Sequence, residues 1–226
     1  MKYAPSALIG RLSRSAGSTT ASHNRFGAYL RNRVIPTNPQ TAKQTAVRGS
    51  LATSSMAWKA LTQAQREGWT ALGASIVKTD SLGETYTLNG LQAFVLANRN
   101  RFTTGLGQLS DAPALPAITG LTTLSMTASI LAMVITFAPT PIGATFSLLF
   151  SVTPGVSAGI SFMPRSRYKL VLATALNAAT GSDILAAYTA LYGIPIVGQK
   201  IFLTALVLHE ASGITGPPFH ASVIVA

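Results

Sequence analysis

Asn24–Trp69 reads NRFGAYLRNRVIPTNPQTAKQTAVRGSLATSSMAWKALTQAQREGW, and a change of period inside it decides the fold. From Arg25 to Val34 the side chains alternate. Arg25, Tyr29, Arg31 and Arg33 share one parity, while Phe26, Ala28, Leu30 and Val34 share the other. A period of two is that of a strand, here with one basic-aromatic face and one apolar face. Pro36 and Pro39 then bracket a corner. Asn38 is a suitable N-cap, and Pro39 suits the first helical position, where its missing N–H is no loss. Val47, Leu51, Ser54, Trp58 and Leu61 recur at four–three spacing, one stripe of a helix that runs to about residue 60. Thr62 with Gln65 forms a capping box for a second helix, whose inward stripe is Trp69, Leu72 and Ile76. Trp58 and Trp69 are expected to pack together in a small core.

Upstream, residues 1–22 are rich in Ser, Thr and Gly and carry Arg11 and Arg14, the picture of an extended basic arm. SAGSTTASHN is placed to supply a hairpin partner to the alternating strand. Downstream, DSLGETYTL reads as a turn and a short strand. Asn89 caps a third helix, Leu91 to about Phe102, with Leu91, Phe94, Val95 and Phe102 inward. Arg99 and Arg101 lie near its C-terminus, where cations complement the helix dipole. GLGQLSDAPALPAITG has no helical period and reads as a linker over 105–118.

Beyond it, strand-like segments recur: Leu121–Met126, Ile130–Phe137, Ala144–Val152, Ile160–Met163, Lys169–Ala175, Ile201–His209 and His220–Val225. Pro/Gly turns such as APTPIGA and TGPPFH separate them, and DILAAYTALY is helical in character. This is the pattern of a β-sandwich of immunoglobulin or fibronectin III type. The fold class expected is therefore α+β: a basic arm over 1–22, a ribbon and three-helix domain over 23–104, a linker over 105–118, and an all-β sandwich over 119–226.

Composition narrows the function. Hydrophobic residues make up 48% of the 226 and charged residues only 10%, against a usual charged share of about 25%. So few charges do not clothe a soluble monomer; Ser, Thr, Asn and Gln must do it, or neighbouring subunits. Of the net charge of +11, residues 1–104 hold +10, with thirteen Lys/Arg against three acids. That asymmetry points to a polyanion or an acidic partner meeting the N-terminal half, the alternative being a solvated basic face. With no cysteine there is neither a disulfide nor a thiolate metal site. The N-terminus lacks a signal-peptide apolar core, and the longest apolar runs are of strand length, so membrane insertion is not expected.

Catalytic patterns are thin. Gly155-Val-Ser157-Ala-Gly159, followed by Asp183 and His209, has the spelling and order of a hydrolase nucleophile elbow. An elbow needs a helix directly after its serine, and ISFMP reads instead as a strand. His23, His209 and His220 have no partner at metal-ligand spacing, and six acidic residues leave almost no carboxylate pair. Neither enzyme activity, cofactor nor metal is expected.

Tyr29, Arg31, Asn38-Pro39-Gln40-Thr41, Gln44, Arg48, Trp58, Leu61-Thr62, Arg66 and Trp69 together resemble the N-terminal region of uncharacterised structural proteins from phage and prophage gene clusters. Their pattern is an aromatic-Arg ribbon, N-P-x-T-x-x-Q, a basic residue, a Trp, and a closing L-T-x-x-x-R-x-x-W. The arginine before the proline corner is displaced or doubled here, as Arg31 and Arg33. The resemblance covers about a quarter of the chain. It implies a virion or assembly component made in the bacterial host cytoplasm, without saying which. With the low charge, high apolar content and charge asymmetry, the expectation is a minor capsid, decoration or connector subunit whose partners are other virion proteins, copies of itself, and packaged nucleic acid. Arg11, Arg14, Arg25, Tyr29, Arg31 and Arg33 are the candidate partner-binding residues; Asn38, Pro39, Trp58, Thr62, Gln65 and Trp69 are candidates for a structural role. Two other readings remain open: a nucleic-acid-binding protein using the basic N-terminal ribbon, and a glycan-binding, adhesin-like module using aromatic residues such as Tyr188 and Tyr192.

Overall fold

A computed structural model describes residues 14–24, 27–35, 37–79, 83–118 and 120–226. The chain is α+β and divides into two compact units, Met1–Ala46 and Val47–Ala226. The expected boundary at 105–118 thus falls inside the second unit.

In the first unit, β1 (Arg14–Ala16), β2 (Thr19–Asn24) and β3 (Gly27–Asn32) form an antiparallel sheet in sequence order. The hairpin partner expected from SAGSTTASHN is β2. Its ladder runs from Thr19 opposite Asn32 to Asn24 opposite Gly27, and Arg33 N–H extends it by bonding Ser18 O at 2.7 Å.

Helix α1 spans Ala42–Ala60. Its start corrects the expectation for Asn38 and Pro39, which lie in exposed irregular chain ahead of it. Thr41 and Gln44 supply the reciprocal cap instead. Gln44 N–H donates to Thr41 Oγ1, and Thr41 N–H to Gln44 Oε1, both at 3.3 Å. A capping box satisfies two orphan donors where a lone Asn satisfies one. The expected stripe is buried only toward its C-terminal end: Ser54 and Leu61 are buried, whereas Val47 and Leu51 are about half exposed.

Helices α2 (Gln63–Ser75) and α3 (Gly90–Thr103) pack together, joined by a hairpin of β4 (Val77–Thr79) and β5 (Thr85–Thr87). Gly73 makes the close approach possible, since a side chain there would meet the carbonyl oxygens of Leu88 and Asn89. Asn89 and Gln92 form the cap of α3, as expected for Asn89. Its inward face is Ala93, Phe94, Ala97 and Asn98; Leu91 and Phe102, expected inside, are exposed.

Residues 105–118 hold no regular element, but they are strapped to the helices rather than free of them. Asn98 accepts from Leu109 N–H at 2.7 Å and donates to Leu109 O at 3.3 Å. Trp69 Nε1–H donates to Ser110 O at 2.8 Å.

The β region contains two antiparallel sheets. One has the order β11 (Ser182–Asp183), β7 (Met133–Ala138), β6 (Thr123–Ala128). The other has the order β10 (Lys169–Ala173), β8 (Phe146–Val152), β12 (Gln199–His209), β13 (Ile214–Ile224), with the short β9 (Val156–Ser157) also on β12. Helix α4 is Leu185–Tyr192. The strand expected at Ile160–Met163 does not form; that stretch is irregular and leads to a 3₁₀ turn at Arg165–Arg167. Met133, Ile135 and Phe137 of one sheet and Leu148, Phe150, Ile201, Leu203 and Val207 of the other fill one core with Tyr188 of α4.

The helical core contains a residue from the β region, Ile214. Arg101 donates to Glu210 O at 2.7 Å and Ala211 O at 2.8 Å, and Asn100 to Gly213 O at 2.8 Å. Helices and sheets of Val47–Ala226 therefore form one compact unit, joined by shared core residues and hydrogen bonds.

Candidate functional site

The basic ribbon lies in the first unit. Directly opposed residues of an antiparallel ladder share a face, so Ser15, Thr20 and Arg31 lie on one side, with Tyr29 and Ser22 along the same side. Arg14 pairs with Ala21, and Ala21 with Leu30, which puts Arg14 on the opposite side from Arg31. Arg11 and Arg25 lie outside the described residues. At the end of β3 a groove of about 420 Å³ is lined by Ser15, Thr20, Arg31, Asn32, Arg33 and Val34. The hydroxyls of Ser15 and Thr20 are 2.8 Å apart. Both guanidinium groups are exposed, and Tyr29 is half-buried.

The Trp-containing motif has a complete structural account. Thr62 and Gln65 form the expected capping box of α2, with Thr62 N–H bonding Gln65 Oε1 at 2.9 Å. Gln65 Nε2 reaches Asp111 at 3.0 Å. Arg66 donates to Lys59 O at 2.7 Å and Trp58 O at 3.4 Å, capping the C-terminal carbonyls of α1 with a cation. Trp58 and Trp69 do share a core, and they meet through Phe94. Its ring is 5.5 Å from Trp58, tilted, and 5.2 Å from Trp69, edge-on. Trp69 is fully buried.

One surface escaped sequence reading because three distant segments build it. Ala226 N–H bonds Ala128 O at 2.9 Å, Gly198 N–H bonds Val225 O at 2.9 Å, and Val225 N–H bonds Gln199 O at 2.8 Å. These bonds gather residues 128–132, 193–199 and 224–226 at one end of the β region. Ile130, Leu131, Ile194, Ile196, Val197 and Ile224 lie there, each between 51% and 83% exposed. None of the residues in the three segments is charged.

The elements of the hydrolase spelling are scattered. Ser157 is opposite Gln199 near one end of β12, and His209 ends the same strand. At ~3.3 Å per residue they stand on the order of 30 Å apart. Ser157 is followed by a turn and no helix. His209 Nδ1 is held by Ser212 Oγ at 2.8 Å. Asp183 accepts from Leu185 N–H at 2.9 Å and Met133 N–H at 3.1 Å; these backbone donors, Leu185 first, hold its carboxyl below the usual range.

The aromatics suggested for glycan contact are structural. Tyr188 is buried, and burial pushes its hydroxyl pKa up. Tyr192 is raised by burial and then by Tyr188, whose ring is 5.3 Å away. Its hydroxyl donates to Val152 O at 3.1 Å, and Lys169 Nζ sits 4.7 Å above its ring.

Among the described residues no group of three His, Asp or Glu could hold a metal ion, and no helix is long and apolar enough to cross a membrane. No family model matches the chain, and no curated protein or solved structure is similar to it.

Proposed function

We propose that the chain is a structural subunit of a bacteriophage virion, a minor capsid, decoration or connector protein that assembles with copies of itself and with other virion proteins. The observation that carries this reading is the uncharged apolar end formed by residues 128–132, 193–199 and 224–226. Six large apolar side chains exposed on three segments bonded to one another are more than a monomeric soluble protein usually leaves in water at one end. Of the net charge of +11, residues 1–104 hold +10, so copies repel most strongly through that half. The three segments that form the apolar end lie in residues 105–226 and bring no charged side chain of their own to a contact.

The strand order supports an immunoglobulin- or fibronectin-like sandwich as the assembling module. Counting β6, β7, β8, β10, β11, β12 and β13 in chain order, the first, second and fifth strands make one sheet and the others make the second. That division has the form of the A-B-E and C′-C-F-G sheets of such modules. The resemblance of the N-terminal motif to phage structural proteins points the same way.

Sedimentation velocity across a concentration series tests the reading. The chain should form larger species as concentration rises, and Leu131→Glu with Ile196→Glu should hold it at the 23.5 kDa monomer. Leu131 is 83% exposed and Ile196 61%, so neither change disturbs the core. A wild-type chain that stays monomeric at the highest attainable concentration, and is missing from purified particles, would refute it.

A further inference from the structure

The groove at the end of β3 is a second site, independent of the assembling end. We infer that it binds the phosphodiester backbone of a nucleic acid strand, with Arg31 and Arg33 as the charged forks and Ser15 and Thr20 as hydrogen-bonding partners to the phosphate oxygens.

Charge is the first ground. Residues 1–46 hold seven Lys/Arg (Lys2, Arg11, Arg14, Arg25, Arg31, Arg33 and Lys43) and no Asp or Glu at all. The unit has no carboxylate of its own to neutralise its guanidinium groups, so the compensating anion must come from elsewhere.

Shape and chemistry are the second. A merely solvated basic edge would present its arginines on a flat surface. Here Arg31 and Arg33 line one concavity of about 420 Å³ together with Ser15, Thr20, Asn32 and Val34. Arginine, serine, threonine and asparagine are the residue types that contact phosphate and sugar, and guanidinium meets phosphate in a two-bonded fork.

Spacing is the third. Arg31 and Arg33 are two residues apart along an extended chain, about 6.6 Å. Successive phosphates along one strand stand on the order of 7 Å apart, since the backbone winds about the axis as it rises ~3.4 Å per nucleotide. Each fork can therefore address its own phosphate without bending the chain. Tyr29, two residues before Arg31 on the same face, is placed beside that track, where an aromatic ring serves base stacking. An acidic protein surface would satisfy the charge as well, and the competition arm of the test separates the two.

Fluorescence anisotropy of the full chain with a labelled mixed-sequence single-stranded oligonucleotide, titrated at several NaCl concentrations, tests the site; a duplex of the same sequence is the second arm. Binding should weaken linearly in log K against log salt. Arg31→Ala with Arg33→Ala should lower affinity about tenfold or more. It should also reduce the magnitude of the single-strand slope by about 1.4, two phosphates at ~0.7 each. Arg31→Lys with Arg33→Lys should keep the slope, because the charges remain, while losing affinity severalfold, because the forks do not. This second pair keeps the test informative if the alanine variant misfolds. Lys78→Ala with Arg99→Ala, outside the groove, should change neither quantity. A slope unchanged in the alanine variant would overturn the inference. So would a poly-glutamate peptide competing as well as the oligonucleotide at equal charge, which would assign the groove to an acidic protein.

Discussion

Gly213 is where the helices and the sheets of the second unit are joined, and replacing it with alanine tests that joint. Its φ of +70° lies in the left-handed region, where a Cβ costs ~1–2 kcal/mol. The added Cβ would also press on the backbone of Ala97 in α3, 2.7 Å from its carbonyl carbon and 3.0 Å from its Cα, with the carbonyl oxygen nearer still. Carbon atoms rest at about 3.5–4.0 Å, so the turn and the helix must separate by roughly 1 Å. Overpacking of that kind costs ~1–3 kcal/mol. The movement also stretches the bond from Asn100 to Gly213 O and those from Arg101 to Glu210 O and Ala211 O, of which the neutral one is worth ~1 kcal/mol. The sum is about 4 kcal/mol. For a unit of this size that lowers the melting temperature by about 8–16 °C. Urea unfolding followed by two probes reads it. Both tryptophans lie among the helices, so fluorescence reports that half while far-UV circular dichroism reports the strands as well. The wild-type transitions should coincide, and Gly213→Ala should move both. Separate wild-type transitions would refute a shared core, and a loss below about 1 kcal/mol would refute the steric account.

Thr62→Ala removes one half of the α2 capping box and should cost about 1 kcal/mol, read as a lower urea midpoint with unchanged slope. Asp183→Asn addresses pH. The folded carboxyl titrates below its unfolded value of about 3.9, so its contribution is present above that value and is lost as pH falls through the folded pKa. The variant should be less stable than wild type at pH 7 and equal to it in strong acid. A stability difference that persists at the acid end would show that the charge is not the cause.

What was legible in the sequence was mostly what neighbours in sequence decide. The Thr62–Gln65 and Asn89–Gln92 boxes, the β2–β3 hairpin and most strands follow from offsets of two to four residues, which are local physics. The same rule applied to Thr41-Ala-Lys-Gln44 would have placed the start of α1 correctly; Asn38 and Pro39 offered a competing signal that was weaker by one hydrogen bond. What stayed illegible depended on distant partners. Val47 and Leu51 continue the stripe of Ser54 and Leu61 by period, yet period says only that a face is apolar and not that anything covers it. Leu91 and Phe102 failed for the same reason. The apolar end at Leu131, Ile196 and Ile224 exists only once Ala226 and Gly198 have found their strands, and no window of sequence contains it.

The stitching of 105–118 by Asn98 and Trp69 bears on how the molecule can be taken apart. A segment with that many prolines and glycines invites a protein engineer to cut there and express two halves. Either half would be born with a missing wall: the helical piece without Ile214 over its core, the sheet piece with the 210–213 turn stripped of its anchoring arginine. A useful dissection would leave this seam whole and trim the chain ahead of Thr41, where α1 is capped.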